Sequence, residues 1–177
     1  ITTSLKVIDY PHHEVHEGNA FNVVYSVASL GAMAAPDDMI TLTFKTADTT
    51  KWCHYTFTAL GTAGWRIRLI EAPTGGAENA TGQLTIINKN RNSSTTSGVT
   101  DGTTANQVNY DATLATGGTT LWDQYLEGSG GPMSGGTQIA NRNEFILKQN
   151  TTYQVSLYGT DTNPATLIMD WYEHANK

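Results

Sequence analysis

The chain has 177 residues and a mass of 19.1 kDa, enough for one ordinary domain with a real core or for one domain plus an arm. Only 15% of the residues are charged, and Thr, Asn, Ser and Gly fill the deficit, which favours strands and turns over helices. A net charge of −6, with Arg66, Arg68, Lys89, Arg91 and Arg142 scattered rather than clustered, argues against a nucleic-acid binder, and no apolar run approaches the ~20 residues of a membrane helix.

Residues 1–19 read as an N-terminal arm or first strand: Leu5, Val7 and Asp9, then Tyr10-Pro11, then His12-His-Glu-Val-His-Glu17-Gly18. The start at Ile1 shows no basic-plus-apolar leader, so a signal peptide is expected to be absent or already removed. In an extended chain His12, Glu14 and His16 project to one side, and two imidazoles with a carboxylate suit zinc or a similar ion. The order is not His-Glu-x-x-His on a helix, and no fourth ligand is identifiable. The expectation is therefore no metal and no cofactor. The segment reads as a polar contact strip, or as an interface rim to which His12, His13 and His16 give some pH sensitivity.

From residue 20 the chain reads as a run of strands. Phe21 to Ser29 alternates through Phe21, Val23, Tyr25 and Val27, and Leu30 to Asp38, with Gly31 and Pro36, is a loop. Met39 to Thr46 alternates through Ile40, Leu42 and Phe44. A strand at Trp52-Cys-His-Tyr-Thr-Phe-Thr58 puts Cys53, Tyr55 and Phe57 on one face and His54 on the other. Cys53 is the single cysteine, so no internal disulfide exists, and it reads as a small buried hydrophobe without an activating base. Trp65 to Glu71 follows with Arg66 and Arg68 on a charged outer face, then Gly82-Gln-Leu-Thr-Ile-Ile87. Strands near ten residues apart, divided by Gly, Pro, Asp and Asn, signal a sandwich or jelly roll.

Asn88-Lys-Asn-Arg-Asn-Ser-Ser94 opens a polar tract running to about Asn109, too poor in apolar surface to order itself alone; it is expected to be a mobile loop or one ordered by a partner. Ala112 to Glu127 is a candidate strand pair anchored by Leu121 and Trp122. Gly128-Ser-Gly-Gly-Pro-Met-Ser-Gly-Gly136 is a connector, since a phosphate-cradling loop needs a following helix and, in the Walker pattern, a Lys. Three runs close the chain: Phe145 and Leu147; Tyr153, Val155 and Leu157 after a turn at Gln149-Asn150-Thr151; and Ala165 to Tyr172 after Thr160–Pro164. They read as a three-stranded meander, with Lys148, Gln154 and Ser156 outward. Ile168 and Tyr172 lie opposite Leu167, Met169 and Trp171, so this last strand is either central between two layers or pressed against a neighbouring subunit. The fold class is all-β: a jelly-roll-like antiparallel β-sandwich over 20–177 with an extended N-terminal arm over 1–19.

His12-His-Glu-Val-His-Glu-Gly18, Gly82-Gln-Leu-Thr with Asn88-Lys-Asn-Arg-Asn-Ser93, Gly128-Ser-Gly-Gly131 with Gly135-Gly136, and Glu144-Phe-Ile-Leu-Lys-Gln-Asn-Thr-Thr-Tyr153 together span most of the chain. In this order they resemble a family of small β-rich structural proteins of tailed bacteriophages, the head decoration and related virion proteins. The resemblance implies a jelly-roll-like subunit that trimerises on the outer surface of a capsid and cements neighbouring capsomers. Its partners would be the major capsid protein and its own copies, with no enzymatic activity and no nucleic acid or membrane involved. Interface candidates are His12, His13, His16, Asn88, Arg91, Ile168 and Tyr172.

Three other readings compete. A tail- or fibre-associated module recognising a host glycan would use exposed aromatics among Trp52, Trp65, Trp122 and Trp171. A carbohydrate-binding module of a secreted enzyme would want a linker or a partner domain. A cupin-like metalloenzyme would combine His12, His16 and Glu14 or Glu17 with a distant His54 or His174.

Overall fold

The structure, a computed structural model, describes residues 9–27, 38–48, 50–61, 65–75, 82–126, 137–138, 144–159 and 164–175. The expected connectors at 30–37, 62–64, 128–136 and 160–163, and the positions Leu5 and Val7, lie outside the described residues. One short helix, α1 (Tyr10–Glu17), precedes the strands β1 (Ala20–Val27), β2 (Asp38–Lys45), β3 (Lys51–Gly61) and β4 (Trp65–Thr74). Then come β5 (Gln83–Thr85), β6 (Ile87–Asn88), β7 (Gln107–Tyr110) and β8 (Gly117–Leu126). The last four are β9 (Thr137–Gln138), β10 (Phe145–Leu147), β11 (Thr152–Gly159) and β12 (Ala165–Ala175). α1 is too short to cross a membrane, and no described helix is long and apolar enough to do so.

The strands form two antiparallel sheets packed face to face. The first runs β10-β3-β12-β1-β6, with β9 also pairing β3, and the second runs β5-β7-β2-β11-β4-β8. Pairing is nested: β1 lies against β12 and β2 against β11, partners drawn from opposite ends of the chain. β3 pairs both β12 and β10, and β4 pairs both β11 and β8. Period-2 alternation sends Phe21, Val23, Tyr55, Phe57, Leu167, Met169 and Trp171 of the first sheet inward, against Ile40, Leu42, Phe44, Ile67, Leu69, Tyr153, Val155 and Leu157 of the second. Phe44 ties the layers at the centre, its ring 5.3 Å from that of Tyr55 in the first sheet and 5.8 Å from that of its own-sheet neighbour Tyr153. Cys53 is buried in this core, as expected.

Several expectations need correction. The three C-terminal runs are strands, but not a meander: β10 and β12 belong to the first sheet and β11 to the second, so none pairs with the next. Alternation reports which face of a strand is buried, and a hairpin and a connection crossing between sheets share that signal. Gln154 and Ser156 do point away from the core, yet both are buried. Residues 111–116 cross the outside of the second sheet above them. The Ala115 amide donates to Gln154 Oε1 at 2.8 Å, Gln154 Nε2 donates to the Thr113 carbonyl at 3.0 Å, and Thr41 Oγ1 donates to the Ala112 carbonyl. The segment 112–127 therefore supplies one strand, β8, and a covering strap instead of a strand pair. The run at 82–87 divides into β5 of the second sheet and β6 of the first.

The polar tract 88–109 is ordered by its own chain. Side chains donate or accept over two residues along it: Asn90 N–H to Asn88 Oδ1 (2.8 Å), Asn92 N–H to Asn90 Oδ1 (3.1 Å), Thr95 N–H to Ser93 Oγ (3.1 Å) and Thr103 N–H to Asp101 Oδ1 (2.7 Å). These Asx- and Ser/Thr-turns satisfy backbone groups that a ladder would otherwise pair. The tract then docks across the end of the sandwich. Thr100 bridges to Lys45 beside β2, and Ser97 and Gly98 donate to the buried carboxyl of Glu173 on β12.

Candidate functional site on the outer face of the first sheet

The segment expected to extend over 10–17 is helical. Pro11 occupies the first turn, where its missing N–H costs nothing, and Gly18 closes the helix at φ 77°, in the left-handed region. A Pro at the start and a Gly at the end were the available signals, and the short span hides any 3.6-residue period. The helix separates the expected ligand set. His12 and His16 sit one turn apart with their Nε2 atoms 3.0 Å from each other, whereas Glu14 is turned inward and buried, accepting from Asn19 Nδ2 at 3.1 Å. His12, Glu14 and His16 are therefore not a ligand triad, and among the described residues no group of three or more His, Cys, Asp and Glu is arranged to hold a metal.

The helix rests on the outer face of β12. The Tyr10 ring packs edge-on to Tyr172 at 5.8 Å and to His174 at 5.5 Å. The first residues of the polar tract clamp its end: Asn88 Nδ2 donates to the Gly18 carbonyl at 2.8 Å, and Asn90 Nδ2 donates to the His16 carbonyl at 2.9 Å. A methyl group at Gly18 would lie 2.2 Å from Ser93 Oγ. The stretches His12–Gly18 and Asn88–Ser93, far apart in sequence, are thus one structural unit. Of the interface candidates, Asn88 is buried in this clamp, Arg91, His12, His13 and His16 are exposed, Ile168 is half-buried, and Tyr172 is buried under Tyr10.

Beside the helix a third stretch arrives. Glu144, immediately before β10, meets His54 of β3 and Tyr172 of β12. His54 Nδ1 bonds the Glu144 carboxylate, the Tyr172 hydroxyl donates to the same oxygen at 3.0 Å, and the rings of His54 and Tyr172 stack at 4.6 Å. Burial first, then the bond and charge of Glu144, pushes the Tyr172 hydroxyl well above its ordinary range, so it stays a donor. On the other side, His54 Nε2 lies 2.8 Å from His174 Nε2, and His174 Nδ1 lies 2.8 Å from the Ala175 carbonyl. Two clefts flank this cluster. One, of about 360 Å³, is lined by His12, His54, Lys89, Glu144 and Asp170, with Lys89 Nζ 2.9 Å from Asp170 Oδ1. The other, of about 370 Å³, is lined by Tyr10, His13, Glu17, Lys51 and His174.

The sequence named His54 and His174 only as distant additions to the helix histidines; the fold pairs them with each other instead. Glu144 was not singled out, and nothing local marks it, because its role depends on β10 joining β3. The remaining outer face carries Val24, 50% exposed, paired across β1 and β12 with half-buried Ile168, together with Leu60 at 38% and Ile87 at 43%. Of the tryptophans, Trp171 is buried, Trp122 half-buried and Trp52 36% exposed, while the Trp65 side chain lies outside the described residues. No protein-family model, no curated protein and no solved structure matches the chain.

Proposed function

We propose that the chain is a non-enzymatic structural protein of a virion, a decoration or cement protein that binds the outside of a phage head as a homotrimer and stabilises capsomer contacts. The observation that carries this reading is the contrast between the two outer faces of the sandwich. At the centre of the second sheet, the buried Thr41 and Gln154 bond the chain's own 111–116 segment, and Tyr125 on β8, its ring against Arg66, is the large side chain this face leaves 68% exposed. The first sheet instead exposes Val24, Leu60 and Ile87 around Ile168. An apolar stripe on an otherwise polar sheet is the kind of surface that association buries. The nested strand order also supports the reading, because it follows the wrapping of a jelly roll, an architecture found in viral shells and in lectins. Light scattering after size exclusion tests it: a particle of three chains is expected, and a clean monomer at micromolar concentration would count against a self-assembling trimeric cement.

A second reading is a host-recognition module of a tail or fibre. Tyr10, 49% exposed, and Trp52 flank the His174 end of the face, where a sugar ring could stack. Specific binding on a glycan panel, abolished by Trp52→Ala, would favour it over the cement reading.

A further inference from the structure

We propose that His54 and His174 chelate a divalent transition-metal ion through their two Nε2 atoms. The argument is one of protons. His54 Nδ1 faces a carboxylate oxygen of Glu144 and, at 3.1 Å, the Tyr172 hydroxyl, whose own proton goes to that carboxylate; His174 Nδ1 faces the Ala175 carbonyl, so the partners of both nitrogens accept. Each Nδ1 must therefore carry its proton, which leaves each neutral ring a lone pair on Nε2. With both rings neutral, those lone pairs would meet at 2.8 Å and repel, so either a proton or a metal ion lies between or beside them. Two nitrogens bound to one ion at ~2.1 Å lie roughly 3.0 Å apart at a right angle and roughly 3.4 Å apart at a tetrahedral one, so the observed separation is near that of a cis pair on a square or octahedral ion and widens by about half an ångström on tetrahedral zinc.

The surroundings match. A ligating histidine commonly gives its other N–H to a carboxylate or a backbone carbonyl, and His54 and His174 show one of each. The second nitrogen pair, His12 and His16 on α1, lacks this support: neither Nδ1 has a partner among the described residues. His54 borders one cleft and His174 the other, so the further coordination positions open to solvent or to a group on another molecule. Imidazole donors favour zinc, copper or nickel over magnesium or calcium. The ion would join β3, the end of β12 and, through Glu144, the approach to β10.

Chelator-treated protein titrated with Zn²⁺ tests the site, read by calorimetry and by the ring-nitrogen NMR signals of the histidines. Expected are one zinc ion per chain, metal-shifted Nε2 signals for both His54 and His174, loss of binding in His174→Ala, and unchanged binding in the double variant His12→Ala, His16→Ala. Glu144→Gln should weaken the affinity about 10- to 100-fold. Absence of zinc binding to the unaltered chain would overturn the proposal and assign the gap to a shared proton. Binding that survives His174→Ala but disappears with His12 and His16 would also overturn it. If His174→Ala fails to fold by circular dichroism, the NMR signals of the unaltered chain decide.

Discussion

Glu173 illustrates how a single side chain holds the molecule's two halves together. Its buried carboxyl accepts from Trp171 Nε1 at 3.0 Å, from the Gly98 amide at 2.9 Å and from Ser97 Oγ, linking the last strand to the polar tract. Glu173→Ala removes the carboxyl acceptor of three donors, leaving Trp171 Nε1 only Ser97 Oγ at 3.3 Å, and a loss of about 3 kcal/mol is expected in denaturant melts. Gly18→Ala combines a left-handed φ with a collision at Ser93, so a loss of about 1–2 kcal/mol is expected. Three carboxyls, Glu71, Asp101 and Asp123 (the last held down by its bond to Arg66), titrate below their ordinary values and set the acid response. Asp111, raised by burial, opposes it in part. The Lys148 ammonium at 2.6 Å and the Tyr153 hydroxyl hold Glu71 below its ordinary value despite burial. At Asp101 burial works the other way, but the amides of Thr104 and Thr103 outweigh it and its pKa is lowered. A carboxyl that titrates lower when folded contributes stability that is full above its unfolded pKa and is lost as pH falls through the folded one. The melting temperature should therefore be level near neutrality and decline below about pH 4.5, the ordinary value for Glu71. Asp101→Asn should reduce the slope of that decline.

At the scale of elements, the strands were legible and their partners were not. Phe21–Val27, Ile40–Phe44 and Leu167–Trp171 announce themselves because one face of each is buried, and period-2 alternation records burial alone. Sheet membership left no such mark, which is why β10, β11 and β12 read as neighbours although they alternate between sheets. Two elements were hidden for other reasons. α1 is eight residues long and carries histidines on its exposed side, leaving only Pro11 and Gly18 as signals. The tract 88–109 has the composition of a mobile loop, but its Asn, Ser, Thr and Asp side chains bond their own backbone and Glu173. Hydrogen exchange distinguishes the alternatives: the amides of Thr100 and Asn106, bonded to the Lys45 and Val99 carbonyls, should be strongly protected in the isolated chain. Rapid exchange at both would show that the tract needs a partner. The candidate site was legible only in part, since His54, Glu144, Tyr172 and His174 come from three strands or strand ends that only the register aligns.

The whole molecule is a sandwich whose two sheets meet different surroundings. The 111–116 strap covers the β2–β11 part of the outer side of the second sheet and leaves Tyr125 on β8 68% exposed, while the first sheet holds α1 and its clefts at one end and an apolar stripe beyond. β12 lies between β1 and β3, and its inner face is core, so removing residues 165–177 should abolish folding rather than loosen it. Substitutions on the exposed stripe should do the reverse. Val24→Asp with Leu60→Asp alters side chains that reach solvent, so monomer stability should change by only about 0.5 kcal/mol per site. The measurement that tests the central claim most directly is the native mass, by light scattering, of the unaltered chain and this double variant. The account predicts a mass near three times 19.1 kDa for the first and a folded monomer for the second. An unaltered chain that remains monomeric at micromolar concentration, or a trimer indifferent to both substitutions, would contradict it.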